Sequence, residues 1–235
     1  DIFCRSAVVD LFCGAGGLTH GFFKEGFRVL AGVDVDRSCK YAYERNNKAR
    51  FLDEDVCNLS SDELLRLFGD TEIRILVGCA PCQPFSTYTN CDRKKDGKWK
   101  LLYRFAELIR SSAPDVFSME NVPALKRFEK GKVLSDFLAS AESAGYHVSA
   151  YDVYCPDYGI PQHRTRLVVF GSKRGAIRLV EPFCAPGEYR TVADAISGLP
   201  PLAAGETCER DPLHRAARLS PLNLERIRQS KPGGT

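Results

Sequence analysis

Ala7-Val8-Val9-Asp10-Leu11-Phe12-Cys13-Gly14-Ala15-Gly16-Gly17-Leu18 is the stretch that decides how this chain folds. A short apolar run breaks at a glycine-rich turn, the pattern of a strand that gives way at once to a helix. Leu18, Phe22 and Phe23 then recur at helical spacing until Gly26, a stop signal, and Arg28 to Val33 forms the next strand, which ends in Asp34-Val35-Asp36. Strand, turn, helix, strand opens a doubly wound α/β sheet, and glycines at such a turn let the backbone approach a ligand closely. Asp34 lies 20 residues after Gly14, about where an acidic side chain meets a ribose diol. The dinucleotide pattern G-x-G-x-x-G is broken, because Thr19 stands where the third Gly would be. With no pyrophosphate to cradle, a nucleoside ligand carrying a positive sulfonium fits as well or better. The bland alternative is an ordinary tight turn of an α/β fold.

Outward from that unit, Arg37 to Asn46 reads as a helix and Ser60 or Ser61 caps another that carries Leu64, Leu65 and Leu67. Ile73 to Val77 reads as a buried strand running into Gly78-Cys79-Ala80-Pro81-Cys82-Gln83-Pro84-Phe85-Ser86. Two prolines stiffen the turn at Cys82, which places a thiol just past a strand's carboxyl end, where reacting groups sit in open parallel sheets. Thr87 to Lys100 is a polar loop rich in Lys and Arg: a solvated loop, or a lid over phosphates. Leu101 to Arg110 is a helix. Asp115 to Met119 is a strand leading to Glu120-Asn121-Val122-Pro123, and Lys132 to Ala144 is a helix stopped by Gly145. His147 to Cys155 and Leu167 to Gly171 are strands joined by a connection too short for a crossover helix, so they pair antiparallel at a sheet edge. Beyond Ser172 prolines punctuate a polar, arginine-bearing stretch with weak helices at Thr191 to Ser197 and Pro221 to Gln229. The expected organisation is one catalytic domain over 1–175 and an extension over 176–235.

The chain's 235 residues, 44% of them hydrophobic, suffice for a sizeable core. A net charge of +3 neither demands nor opposes a polyanionic partner. No apolar run approaches 18 residues, so no membrane span is expected, nor any secretory leader, and the missing initiator Met suggests a trimmed start. The 10 cysteines are irregularly spaced and mostly in apolar segments. They read as reduced, mostly buried thiols of a cytoplasmic or nuclear protein rather than as disulfides or metal ligands.

Cys82, Glu120-Asn121, and Arg164 with Arg166 are expected at one edge of the sheet, beside the glycine turn and Asp34. A cytosine ring needs such a set. Thiolate addition at C6 turns C5 into an enamine carbon able to attack a methyl sulfonium. A protonated carboxyl at N3 and a cation near O2 stabilise the charge that develops. A base inside a duplex must first be flipped out.

Over about residues 7–172 the sequence closely resembles the DNA cytosine-5 methyltransferase family. Asp10-Leu11-Phe12-Cys13-Gly14-Ala15-Gly16-Gly17 is similar to its first cofactor motif, Pro81-Cys82-Gln83 to its catalytic motif, Glu120-Asn121-Val122 to its acid motif, and Gln162-His163-Arg164-Thr165-Arg166 to its Q-x-R-x-R motif. The resemblance implies a Rossmann-like S-adenosylmethionine-dependent methyltransferase fold, mostly parallel with an antiparallel edge hairpin. It implies S-adenosyl-L-methionine as methyl donor, S-adenosyl-L-homocysteine as product, double-stranded DNA as partner and no metal.

It further implies Cys82 as the C6 nucleophile, Glu120 at N3, Asn121 holding the loop, and Arg164 and Arg166 around the intermediate, one of them near O2. Phe12 would face the adenine, Asp34 the ribose hydroxyls and Asp55 the adenine amino group. Val35, Val56 and Leu101 would line the adenine slot, and Gly14 and Gly16 would leave room for the methionine part. The family's target-recognition region and two closing motifs have no match after Ser172. The chain therefore reads as a truncated piece, the ordered part of a longer chain, or half of a split enzyme whose second chain carries the recognition region. On its own it is expected to bind cofactor weakly. The rival readings are a tRNA cytosine-5 methyltransferase, a scaffold that keeps only the fold, and a thiol–disulfide protein using Cys79-Ala80-Pro81-Cys82, which would leave Glu120 and the arginines unexplained.

Overall fold

The structure, a computed structural model, describes residues 2–81 and 99–231. A short helix, α1 (Ile2–Arg5), precedes β1 (Ser6–Leu11), whose six residues are all buried, as expected for a strand covered on both faces. Then come α2 (Gly17–Lys24), β2 (Arg28–Asp34), a 3-10 turn at Arg37–Cys39, α3 (Lys40–Asn47) and β3 (Arg50–Asp53). β3 is missing from the sequence reading. Its four residues begin and end in a charge, too short a run for a period to show. Next are α4 (Ser61–Phe68), β4 (Ile73–Gly78), α5 (Lys100–Ser112) and β5 (Val116–Asn121). Of the two expected caps of α4 it is Ser60 that acts, in a capping box with Glu63. A 3-10 segment, Pro123–Gly131, leads to α6 (Lys132–Ser143), then β6 (His147–Tyr154), β7 (Thr165–Ser172) and two short helices, α7 (Val192–Ile196) and α8 (Pro221–Gln229).

The 7-stranded sheet has the order β3-β2-β1-β4-β5-β7-β6. β1 to β5 pair in parallel, while β7 runs antiparallel to both β5 and β6, so the expected edge hairpin is present. One face carries Val9, Leu11, Leu76, Phe117, Met119, Leu167 and Val169, packed with residues of α4, α5 and α6. On the other face Val8, Ile75 and Val77 meet Leu18 and Phe22 of α2, and Tyr43 of α3 packs with Phe51. Strand order reverses between β1 and β4, and in open sheets ligands sit at the carboxyl ends flanking such a reversal. The register aligns those ends: Leu11 lies beside both Val33 and Gly78, and Gly78 beside Met119.

The cysteine expectation needs correcting. Among the described cysteines only Cys13 is buried, whereas Cys4 and Cys57 are exposed and the others half-buried. Cysteine was expected to follow its apolar neighbours inward, but most of these lie at turns and element ends. No disulfide and no metal-ligating cluster occurs among the described residues. No described helix is long and apolar enough to cross a membrane.

Candidate active site

The glycine turn is built by strain and clamps. Phe12 leaves β1 with φ 58, a left-handed conformation that costs a bulky residue about 1–3 kcal/mol and points to a functional constraint. Its ring lies edge-on to Phe105 of α5, centroids 6.4 Å apart. Gly14 (φ 50) donates its N–H to Asp34 Oδ2 at 2.8 Å, and Asp34 Oδ1 accepts from Asp36 N at 2.8 Å. The residue expected at the ribose thus also pins the turn, and its remaining lone pairs can accept from a ligand. A Cβ at Gly14 would meet nothing within 4 Å, which leaves that position open to a ligand. Gly16 is different. A Cβ there would collide with the Asn47 amide and come within 2.7 Å of Tyr43, so its bareness serves the protein's own packing.

Across the mouth of this turn, Val56 is buried in the same apolar cluster that Phe12 packs against, and Val35 is 64% exposed at the end of β2. Asp55 Oδ1 accepts from Cys57 N at 2.8 Å. Arg104 of α5 donates to the carbonyls of Val56 and Leu59, which ties the segment after β3 to α5. Leu101 is half-buried in the first turn of α5.

The second half of the site lies along β4, β5 and β7. Glu120 faces Val168 in the antiparallel register, so Arg166 is its diagonal same-face neighbour. Arg166 Nε reaches Glu120 Oε1 at 2.6 Å, with the two side chains 18% and 30% exposed. Burial pushes the Glu120 carboxyl up from its ordinary value, against the lowering pull of a Cys79 hydrogen bond and of the Arg164 charge. Burial by itself favours the protonated carboxyl, whereas the Arg166 guanidinium at 2.6 Å favours the ionised one, so the proton on Glu120 is held by the first against the second. Asn121, 1% exposed, donates Nδ2–H to the Ala80 carbonyl at 3.1 Å and accepts from Val122 N through Oδ1 at 2.9 Å. That bond fixes the turn leading to Cys82. Cys82 itself lies outside the described residues.

Arg164 precedes β7 and is exposed. Its carbonyl accepts from Cys155 N at 2.8 Å. Burial also raises the Cys155 thiol, whose surroundings include Arg164 and Glu120. The sequence offered no signal for Cys155 beside Glu120, because its place follows only from the β6–β7 pairing. Cys79 carried only the C-x-x-C signal, which pointed to redox chemistry and not to a hydrogen bond on Glu120.

Residues 6–202 match the family model described as C-5 cytosine-specific DNA methylase. The chain is 52% identical over 229 residues to a protein of Herpetosiphon aurantiacus named Type II methylase M.HgiDII, covering 97% of this chain and 64% of that protein. It is 34% identical over 238 residues to the Type II methyltransferase M1.HphI of Haemophilus parahaemolyticus, covering 99% of this chain and 63% of that one. Among solved structures it resembles a DNA modification methyltransferase encoded within a prophage (E. coli), with TM-score 0.71 and 26% identity, covering 86% of this chain and 57% of the other. The chain thus spans somewhat under two thirds of the length of these curated relatives.

Proposed function

The chain belongs to the C-5 cytosine-specific DNA methylase family, and on that premise we propose that it forms the catalytic part of an enzyme that methylates C5 of a flipped-out cytosine in double-stranded DNA. The observation that carries this reading is the half-buried Glu120–Arg166 pair between the end of β5 and the start of β7, beside the segment after β4 that Asn121 ties down. The family description names DNA, which favours DNA over tRNA as substrate, and the Type II designation of the curated relatives favours the modification role of a restriction–modification system. The segment 176–235 then leads toward a target-recognition region, in the same polypeptide or in a second chain.

The glycine turn fits S-adenosylmethionine by its donor set. Phe12 is turned out of the strand, Gly14 is open, Asp34 holds the Gly14 N–H with lone pairs left for a ribose hydroxyl, and Asp55 and Val56 follow the neighbouring strand. Bound there, the cofactor supplies an electrophilic methyl group. Cys82 adds its sulfur to cytosine C6, which makes C5 nucleophilic. Glu120 holds a proton at N3 while the ring carries the added electron pair, and Arg164 and Arg166 surround the intermediate, one of them stabilising the negative charge toward O2. Once C5 carried the methyl group, with S-adenosylhomocysteine as the leaving group, the C5 hydrogen would pass as a proton to water and the C–H electron pair would re-form the C5–C6 double bond as the Cys82 thiolate departs. Protonation of N3 asks for a carboxyl that keeps its proton, which is the direction burial moves Glu120.

Fluorine in place of the C5 hydrogen blocks the last proton loss. Full-length protein incubated with 5-fluorocytosine duplex DNA and S-adenosylmethionine should form a denaturation-resistant adduct, and the Cys82→Ser variant should not. Equal trapping by Cys82→Ser removes the assignment of the nucleophile. An interconverting Cys79–Cys82 disulfide at neutral pH, seen by thiol titration without any adduct, would favour the redox reading.

A further inference from the structure

Behind the glycine turn lies a buried polar chain that the proposed chemistry does not use. Thr19 Oγ1 donates to Asp10 Oδ2 at 2.7 Å, and the Tyr43 hydroxyl lies 3.0 Å from Thr19 Oγ1. Thr19 spends its single proton on Asp10, so Tyr43 donates to Thr19. Asp10, Thr19 and Tyr43 are each 0% exposed, and they come from β1, α2 and α3. Thr19 occupies the position where a dinucleotide site has its third glycine. Instead of leaving room, it bridges helix to strand.

We propose that Asp10, Thr19 and Tyr43 are positioning residues for the ligand-binding turn, holding the Phe12–Gly16 backbone from beneath and thereby setting cofactor affinity. This rests on reading that turn as the S-adenosylmethionine site. Tyr43 is the lever. A Cβ at Gly16 would come within 2.7 Å of Tyr43 Cδ2, and one at Gly32 within 2.6 Å of Cε2, so the ring lies flush against both glycines. Gly16 starts α2 with φ 90 and donates its N–H to Cys13 O at 2.9 Å. The turn is therefore gripped from two sides, by Asp34 on the Gly14 N–H and by Tyr43 on Gly16.

The left-handed Phe12, two residues after Asp10, needs such surroundings to persist. Asp10 makes a poor device for plain stability. Its Oδ1 has no hydrogen-bond partner among the described residues, and a half-paired buried carboxyl opposes folding. Burial raises it to about 7, with Asp34 adding a smaller push and the Thr19 bonds pulling it down.

The test uses the full-length protein, with S-adenosylhomocysteine affinity read by calorimetry and kcat and the KM for S-adenosylmethionine read on duplex DNA. Thr19→Val removes the hydroxyl while keeping the shape, and it should weaken S-adenosylhomocysteine binding and raise KM by about tenfold, with kcat within about twofold. Thr19→Ser should restore both. Tyr43→Phe, which removes only a hydroxyl, should act in the same direction, and added to Thr19→Val it should change little, because the Tyr43 hydroxyl acts through Thr19 while the ring stays against Gly16. Wild-type affinity in Thr19→Val and Tyr43→Phe, even with lowered melting temperatures, would make the chain structural only and overturn the proposal. Should Thr19→Val not fold, Tyr43→Phe and Thr19→Ser decide it. A wild-type protein that binds neither S-adenosylmethionine nor S-adenosylhomocysteine would overturn the reading of the turn itself, and this inference with it.

Discussion

The two ends of the site are held together by different physics. At the β1–β2 end, the groups that fix the turn are interior: Asp10, Thr19 and Tyr43 are fully buried, and Gly16 is locked against Tyr43. At the β5–β7 end, the central pair is half-open. Glu120 and Arg166 are 30% and 18% exposed, and Arg164 lies at the surface. An end that must recognise one small ligand can be braced from inside, where a low dielectric strengthens each hydrogen bond. On the proposed function, an end that receives a base from a large polyanion has to keep its carboxyl and guanidinium reachable. The first end should govern cofactor affinity and the second the chemical step, and the two should be separable by substitution.

The largest expected separation is at Glu120. Glu120→Gln keeps the shape and one acceptor but cannot hold and release a proton, so kcat should fall by about 10²–10⁴. S-adenosylhomocysteine affinity should stay within about twofold. The check is tritiated-methyl incorporation set beside calorimetry. An equal loss of cofactor affinity would mean that the two ends act as one unit.

Next in size is the pH dependence carried by Asp10. Its folded value is raised to about 7 from an ordinary 3.8, so the protonated form is the one the fold favours. Its contribution is intact below about pH 4 and drains away as pH rises through about 7. Urea unfolding should show Asp10→Asn gaining on the wild type across that interval, by roughly 2–4 kcal/mol, and levelling off above it. The groups around it are Thr19, Tyr43, Cys13 and Asp34. A flat difference between pH 4 and pH 7 would mean that Asp10 is not held protonated, and the contrast between a dry end and a wet end would lose its main support.

The same contrast explains what could be read from the chain. The glycine turn was legible because strand, glycines and helix are contiguous, and the break at Thr19 was visible. Its bracing was not, since Tyr43 reaches Gly16 from α3, and only the sheet topology sets that distance. The left-handed Phe12 left no trace, because nothing in Leu11-Phe12-Cys13 demands positive φ. Glu120 and Arg166 were legible as motif members, yet their pairing depends on β5 and β7 being antiparallel with Glu120 opposite Val168. The packing around Gly16 was hidden for the same reason: a missing side chain says that something comes close, and only the fold shows that Tyr43 and Asn47 do.

The smallest effect sharpens that last point, because Gly14 and Gly16 sit in one turn with opposite surroundings. Gly14→Ala should cost only the left-handed strain, about 1 kcal/mol, since a Cβ at φ 50 meets no protein atom within 4 Å. Whatever further loss it shows should appear in cofactor affinity. Gly16→Ala carries similar strain and also drives a methyl group into Tyr43 and Asn47. Neither can withdraw easily: Asn47 is held to the Tyr43 carbonyl at 2.9 Å, and the Tyr43 hydroxyl is engaged with Thr19. Its unfolding free energy should therefore fall further, by roughly another 1–3 kcal/mol. Thermal melts without ligand, paired with S-adenosylhomocysteine titrations, separate the two cases. Equal melting temperatures for the two variants would show that Tyr43 yields to a methyl group, and a ring that yields so readily could not brace the turn.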